Sequence, residues 1–185
     1  MTPTHAALMA ALPYALAAPK DHAPITQLCF RPARNQRSFP DRLSVTRAEG
    51  IPGDRWLTEP WQRLPDGSPD PDIQISILPS RVLALVWQDG DKTPHPGDTI
   101  IADLDMSEAN LPPGSLIAAG TAILRVSPIF NDGCVKWKTR YGPDAKAWIT
   151  APGHSTLRLR GIYCAVEADG EIALGNPLTL LRRGP

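Results

Sequence analysis

Twenty-one prolines are spread over 185 residues, about 11% against a usual level near 5%. A proline inside a helix removes a backbone donor and clashes with the preceding turn, at about 3 kcal/mol each. Long helices, and with them a helical bundle, are therefore disfavoured. The 14 glycines add further turn positions. Together the two residue types make up about 19%, below the roughly 25–30% of disordered low-complexity chains. With 42% hydrophobic residues and five Trp, the chain has the material for a core. Short strands joined by many turns are the expectation.

Lys plus Arg and Asp plus Glu both number 19, so the formal net charge is zero. This argues against nucleic acid and against acidic membrane surfaces as partners, while leaving room for a local cationic patch. The cysteines Cys29, Cys134 and Cys164 are odd in number and far apart. They form no C-x-x-C pair, which predicts neither a disulfide framework nor a zinc ribbon. Reduced, buried thiols in a cytoplasmic protein are expected. Residues 6–18 are rich in Ala and Leu, but no Lys or Arg precedes them, so the positive start of a secretory signal is missing. A short helix capped near Thr4 and broken near Pro13 is predicted instead. It forms an N-terminal helical extension over residues 1–24, followed by one domain over 25–185. No other segment approaches the roughly 18 apolar residues of a membrane span.

Strands are predicted over 25–31, 42–51, 73–78, 99–104, 116–118, 122–127 and 178–181. Ser80 is placed to cap a short helix running to Gln88. Ile162–Ala168, Asp169-Gly170 and Glu171–Leu174 read as a β-hairpin with a favoured turn dipeptide. Pro60–Asp72 is a loop dense in turn formers. Nine short strands, few helices and no internal repeat predict a mainly β fold, a single β-barrel with a few short helices.

The segment Asn131–Gly142 is the most informative for chemistry. As a strand, it puts Cys134, Lys136, Lys138 and Arg140 on one face and Val135, Trp137, Thr139 and Tyr141 on the other. Thiolates bind soft metals, and cations bind phosphate. The simpler alternative is a solvated basic strand with an incidental cysteine, and a helix would scatter the row. In Gly53-Asp54-Arg55-Trp56, Asp54 is placed to orient Arg55 toward an anion; the simpler alternative is a turn Asp beside a surface Arg. Arg158 and Arg160 read as two same-face arginines. The histidines show no metal-ligand spacing. No nucleophile elbow, phosphate loop or dinucleotide fingerprint occurs.

Taken in order, these pieces resemble the MOSC domain, named for the C-terminal domain of molybdenum cofactor sulfurases. The resemblance spans about Ile25 to Leu181. It is carried by Arg31-Pro32, Gly50, Gly53-Asp54-Arg55-Trp56, Gln74-Ile75-Ser76 and Asn110-Leu111 with Gly120 downstream. It continues through Cys134 with Arg140-Tyr141-Gly142, then Arg160-Gly161-Ile162, Gly170 and Gly175. It implies a MOSC-type β-barrel that binds the molybdenum cofactor (molybdopterin), with Cys134 as the thiolate on molybdenum. Arg55, Asn110 and Arg160 match motif positions near the cofactor; Lys136, Lys138 and Arg140 join them from the strand row. Gly175-Asn176 departs from the family's Gly-Asp and is expected to alter a turn only. The Pro60–Pro71 loop is expected to shape a substrate mouth. The implied function is a molybdenum-dependent oxidoreductase that reduces N-hydroxylated small molecules using a separate electron-transfer protein. The alternative is a carrier of sulfur or cofactor, served by a sulfur donor.

Overall fold

The computed structural model describes residues 2–90 and 92–185. Its centre is a closed seven-stranded barrel, as the proline spacing and short apolar runs predict. The strands are β1 (Ala23–Leu28), β3 (Ile75–Pro79), β4 (Ile100–Ala102), β5 (Leu116–Ala119), β6 (Ala122–Val126), β7 (Ile162–Ala168) and β9 (Pro177–Arg182). They follow each other round the barrel as β1-β4-β3-β7-β6-β5-β9, and β9 returns to β1. Among the described residues, only β3 and β4 run parallel. β2 (Arg42–Val45) and β8 (Gly170–Ala173) form a separate two-stranded sheet. Leu43, Val45 and Ile172 from that sheet join the barrel's apolar interior.

Four helices cover one side: α1 (His5–Leu16), α2 (Ser80–Val86), α3 (Val135–Tyr141) and α4 (Pro143–Ile149). A second apolar cluster lies beneath them, built from Leu8, Leu78, Val82, Val86, Trp137, Tyr141, Trp148 and Ile149 among others. β3 therefore has apolar neighbours on both faces. Ile75 and Ile77 fill the barrel and Leu78 faces the helices, so all five of its residues are buried. The Ile alternation predicted a strand with one polar face; the helical layer removes that face from water.

Four local expectations fail. The strand expected over 42–51 ends at Val45, because the chain turns between Thr46 and Gly50, whose backbone groups bond each other at 2.7 and 2.8 Å. Pro13 does not break the first helix. Thr4 caps it, its hydroxyl accepting from the Ala7 N–H at 3.2 Å, and the helix runs on through Pro13 to Leu16. Pro13 falls in the last turn, where few backbone bonds remain to be lost. Arg81 holds that end by donating to the Tyr14 carbonyl at 3.0 Å. Ser80 opens α2 without capping it; Pro79 is the cap position and no side chain bonds there. The Asp169-Gly170 turn does not close a hairpin either. β7 pairs with β3 and β6, whereas β8 pairs with β2. A type I′ turn needs positive φ at both central residues, and neither Asp169 nor Gly170 has it.

Among the described residues no helix is long and apolar enough to cross a membrane.

Candidate functional site

The main cavity lies outside the barrel wall, between β3, β7, the turn at 53–56 and helix α3. Its volume of about 480 Å³ suits a ligand the size of a cofactor. Six cations line it, Arg31, Arg37, Arg55, Lys136, Arg140 and Arg160, against three acids, Glu59, Asp98 and Asp132. A chain of zero net charge thus concentrates positive charge in one place. Cys134 lines the same cavity and is the exposed one of the three cysteines. Cys29 and Cys164 are buried, and burial pushes their thiols up to about 11 and about 12.

The cationic row beside Cys134 is not a strand. Residues 135–141 form α3, and Cys134 is its cap position with an extended backbone. The spacing of four between Trp137 and Tyr141 explains this. Both side chains point to one face, where burial leaves them 2% and 1% exposed, and their rings meet edge to face at 4.6 Å. That burial outweighs the strand preference of Val, Trp, Thr and Tyr. Lys136 and Arg140, also four apart, share a face and both line the cavity. Lys138 is exposed and does not. Lys136 donates to Asn35 Oδ1 at 3.2 Å, linking α3 to the loop after β1.

Arg160 is the best-anchored cation. Its Nη1 donates to Asp98 Oδ1 at 2.9 Å, and its guanidinium lies 4.5 Å over the Trp137 ring. Burial works against the charge, but the Asp98 carboxylate and its hydrogen bond hold the guanidinium pKa above its ordinary value. Arg158 does not share that face. It takes a left-handed backbone and points to the Leu111 carbonyl at 2.6 Å, away from the cavity. Asp54 does not orient Arg55 by a hydrogen bond. It accepts from the backbone N–H of Arg31 at 2.7 Å, from Arg31 Nε and Nη2 at 3.2 Å each, and from the Trp56 N–H at 2.8 Å. The Arg55 N–H donates to the Arg31 carbonyl at 2.8 Å, and its guanidinium Nη1 donates to the Glu59 carbonyl at 3.3 Å. Burial and the neighbouring Arg31 lower its guanidinium pKa.

Asn110 lies outside the cavity. Its Nδ2 donates to the Lys20 and Asp105 carbonyls at 2.9 and 2.8 Å, and its Oδ1 accepts from Arg183 at 3.1 Å. In this chain it ties loops together. The structure thus brings together Cys134, Arg55, Lys136, Arg140 and Arg160, and leaves out Asn110 and Lys138. It adds Arg31, Arg37, Asp98, Tyr163 and Trp61. Arg31 and Trp61 sit in segments that the sequence marks as a strand end and a Pro-rich loop. Asp98 reads there only as a Pro-Gly-Asp turn. Arg37 and Tyr163 carry no local signal.

Pro60 and Trp61, at the start of the Pro-rich loop, line the cavity. The Trp61 ring rests 5.8 Å from that of Tyr163. Burial pushes the Tyr163 phenol up to about 12, so it stays protonated near neutrality. Four buried polar atoms on cavity residues have no partner among the described residues: Arg37 Nε, Asp98 Oδ2, Trp137 Nε1 and Arg160 Nε. Buried polar groups are normally paired. This site therefore presents unmet donors and an unmet acceptor beside a free thiol.

The turn that presents Asp98 depends on a neutral histidine. His95 is 3% exposed, and its Nδ1 accepts from the Gly97 N–H at 3.0 Å. Burial holds its pKa down to about 4, below the roughly 6.5 of an unfolded histidine. Its contribution is whole above about pH 6.5 and is lost as pH falls toward 4, since the unfolded chain then binds the extra proton. The loss is on the order of 3 kcal/mol. Urea titrations of wild type between pH 7 and pH 4 should show that decline, and His95→Gln should flatten it.

No protein-family model and no curated protein matches the chain in sequence. Solved structures do match. YuaD from Bacillus subtilis superposes with a TM-score of 0.61 at 21% identity, over 85% of this chain and 94% of that one. YiiM from Escherichia coli gives 0.57 at 18% identity, over 87% and 71%. YiiM from Geobacillus stearothermophilus gives 0.52 at 20% identity, over 88% and 75%. YuaD and YiiM are MOSC-domain-like proteins. The likeness is one of fold, and it supports a MOSC-type barrel here. Asn176, where this chain departs from the family's Gly-Asp, fits that barrel as a turn residue. Its Oδ1 accepts from the Ala173 N–H at 2.8 Å, and it does not line the cavity.

Proposed function

We propose that the cavity holds the molybdenum cofactor and that the protein reduces N-hydroxylated small molecules with electrons from a separate protein. The observation that carries this reading is one exposed thiol, Cys134, in a cavity with six cations and unpaired buried donors. The donor set fits the group. A thiolate is a soft ligand, and the pterin's phosphate and dithiolene are anionic.

Cys134 would hold the metal through its sulfur. Arg31, Arg37, Arg55, Lys136, Arg140 and Arg160 would neutralise the anionic portions, with arginine suited to bidentate contact with phosphate. Asp98 Oδ2 would accept from a pterin N–H. When bound, the cofactor supplies two-electron chemistry that removes an oxygen atom from the substrate. Trp61 and Tyr163 would flank the entering molecule, and the neutral Tyr163 hydroxyl is a donor available to its oxygen.

The test is metal analysis of protein produced in cells that make the cofactor. Wild type should carry about one molybdenum per chain by the single-thiol reading, and Cys134→Ala should lose most of it. Equal molybdenum in both would overturn the ligand assignment. Loaded protein that reduces no amidoxime or hydroxylamine with a chemical electron donor would overturn the enzyme. A persulfide on Cys134 without turnover would instead assign the chain to sulfur delivery.

A further inference from the structure

Lys146 sits on α4, outside the cavity lining, yet the contacts of its ammonium all go to the two residues before Cys134. Its ammonium donates to the carbonyl of Asp132, to the carbonyl of Gly133 at 2.7 Å and to Asp132 Oδ2 at 3.2 Å. An ammonium has three donors, and here one loop takes all three. The loop is held from its other side by Asn131. That side chain accepts from the Gly133 N–H at 3.3 Å and donates to the Arg160 carbonyl at 3.3 Å. Cys134 follows directly as the cap position of α3, and no side-chain capping bond engages its sulfur.

The anchor behind Lys146 is rigid. α4 buries Ala145, Trp148 and Ile149, with Trp148 0% exposed. Ile149 also packs under the loop; a Cβ on Gly133 would come within 2.9 Å of its Cδ1. A well-packed helix thus supplies a charged clamp to a short loop, and that loop carries the thiol. Groups that orient a metal ligand from behind are part of a metal site's design.

We infer that Lys146 is a positioning residue for Cys134. By clamping the Asp132 and Gly133 carbonyls, it sets the direction in which the sulfur enters the cavity. The inference rests on reading Cys134 as the cofactor's thiol ligand, but its test does not depend on that reading alone. Cys29 and Cys164 are buried with raised thiol pKa values, so iodoacetamide near neutral pH reports on Cys134.

The experiment compares wild type, Lys146→Met, Lys146→Gln and Lys146→Arg in two measurements: the alkylation rate of Cys134 without cofactor, and molybdenum content after production with it. Thermal midpoints verify that each variant is folded. The Lys146 side chain is 27% exposed, which favours intact folding of the variants. Lys146→Met should alkylate severalfold faster, because a released loop lets the thiol sample more orientations. Its molybdenum content should fall roughly 10-fold or more. Lys146→Gln should fall between, and Lys146→Arg, which keeps the charge and several donors, should stay near wild type. Folded Lys146→Met with the wild-type alkylation rate overturns the positioning role. Equal molybdenum in wild type and Cys134→Ala overturns the cofactor reading instead, while the alkylation comparison still decides the role of Lys146.

Discussion

Gly161→Ala is expected to destabilise the protein by roughly 4 kcal/mol or more, which is among the larger effects of single substitutions. Gly161 has φ +86°, and a Cβ there would lie 2.0 Å from the Ile77 carbonyl oxygen. Ile77 belongs to β3, at the centre of both apolar clusters. Its carbonyl is backbone in a paired strand, so it has little room to retreat. Two costs combine, a left-handed backbone for a residue with a Cβ, about 1–2 kcal/mol, and a steric clash with the barrel wall. Gly153→Ala isolates the first, since Gly153 has φ +82° and nothing within 4 Å of the added carbon. Urea midpoints of both variants measure the difference. Equal midpoints would mean that the close approach at Gly161 carries no weight.

Asp98→Ala is the second large effect, at roughly 3–5 kcal/mol. Removing one member of a buried ion pair strands the other charge away from water. Asp98 is 3% exposed and Arg160 has an 11% exposed side chain, and the two meet at 2.9 Å. The Trp137 ring under the guanidinium offers cation–π attraction, worth about 0.5–2 kcal/mol, which does not replace the carboxylate. The double variant Asp98→Leu/Arg160→Met should cost much less than Asp98→Ala alone, because no unpaired charge remains. Both should lose the shape of the cavity floor, so folded double variant should retain less of any anionic occupant than wild type. A double variant as unstable as Asp98→Ala would show that packing, not charge, dominates there.

Much of the barrel is legible from local pattern. The runs at 25–31, 116–118, 122–127 and 178–181 are apolar, bounded by Gly or Pro, and too short for helices, and each became a strand within a few residues of its expected ends. The Asn131–Gly142 segment is where local pattern misleads. Alternation of Cys134, Lys136, Lys138 and Arg140 with Val135, Trp137, Thr139 and Tyr141 satisfies a period of two. Trp137 and Tyr141 equally satisfy a period near four, and only a surface to bury them against separates the two. The barrel's outer wall and α4 provide that surface. Asp169-Gly170 failed for a related reason: β2 offered β8 a partner in a ladder that runs from Arg42 opposite Ala173 to Val45 opposite Gly170, far apart in the chain.

The cavity shows the same division. Composition and order of residues determined a barrel of short strands and a thiol segment rich in cations. The resemblance to the MOSC domain added Arg55 and Arg160 to the Lys136 and Arg140 of that segment as residues to find near Cys134. Which charges meet was decided by tertiary structure. Asp54 turns to Arg31 rather than Arg55, Asp98 reaches Arg160 across 62 positions, and Lys146 clamps a loop 13 to 14 residues upstream. Hydrophobic pattern acts through neighbours along the chain and is readable there. Ion pairs and hydrogen bonds form between whichever groups the packed core brings within about 3 Å, and that proximity exists only once barrel and helices have closed on each other.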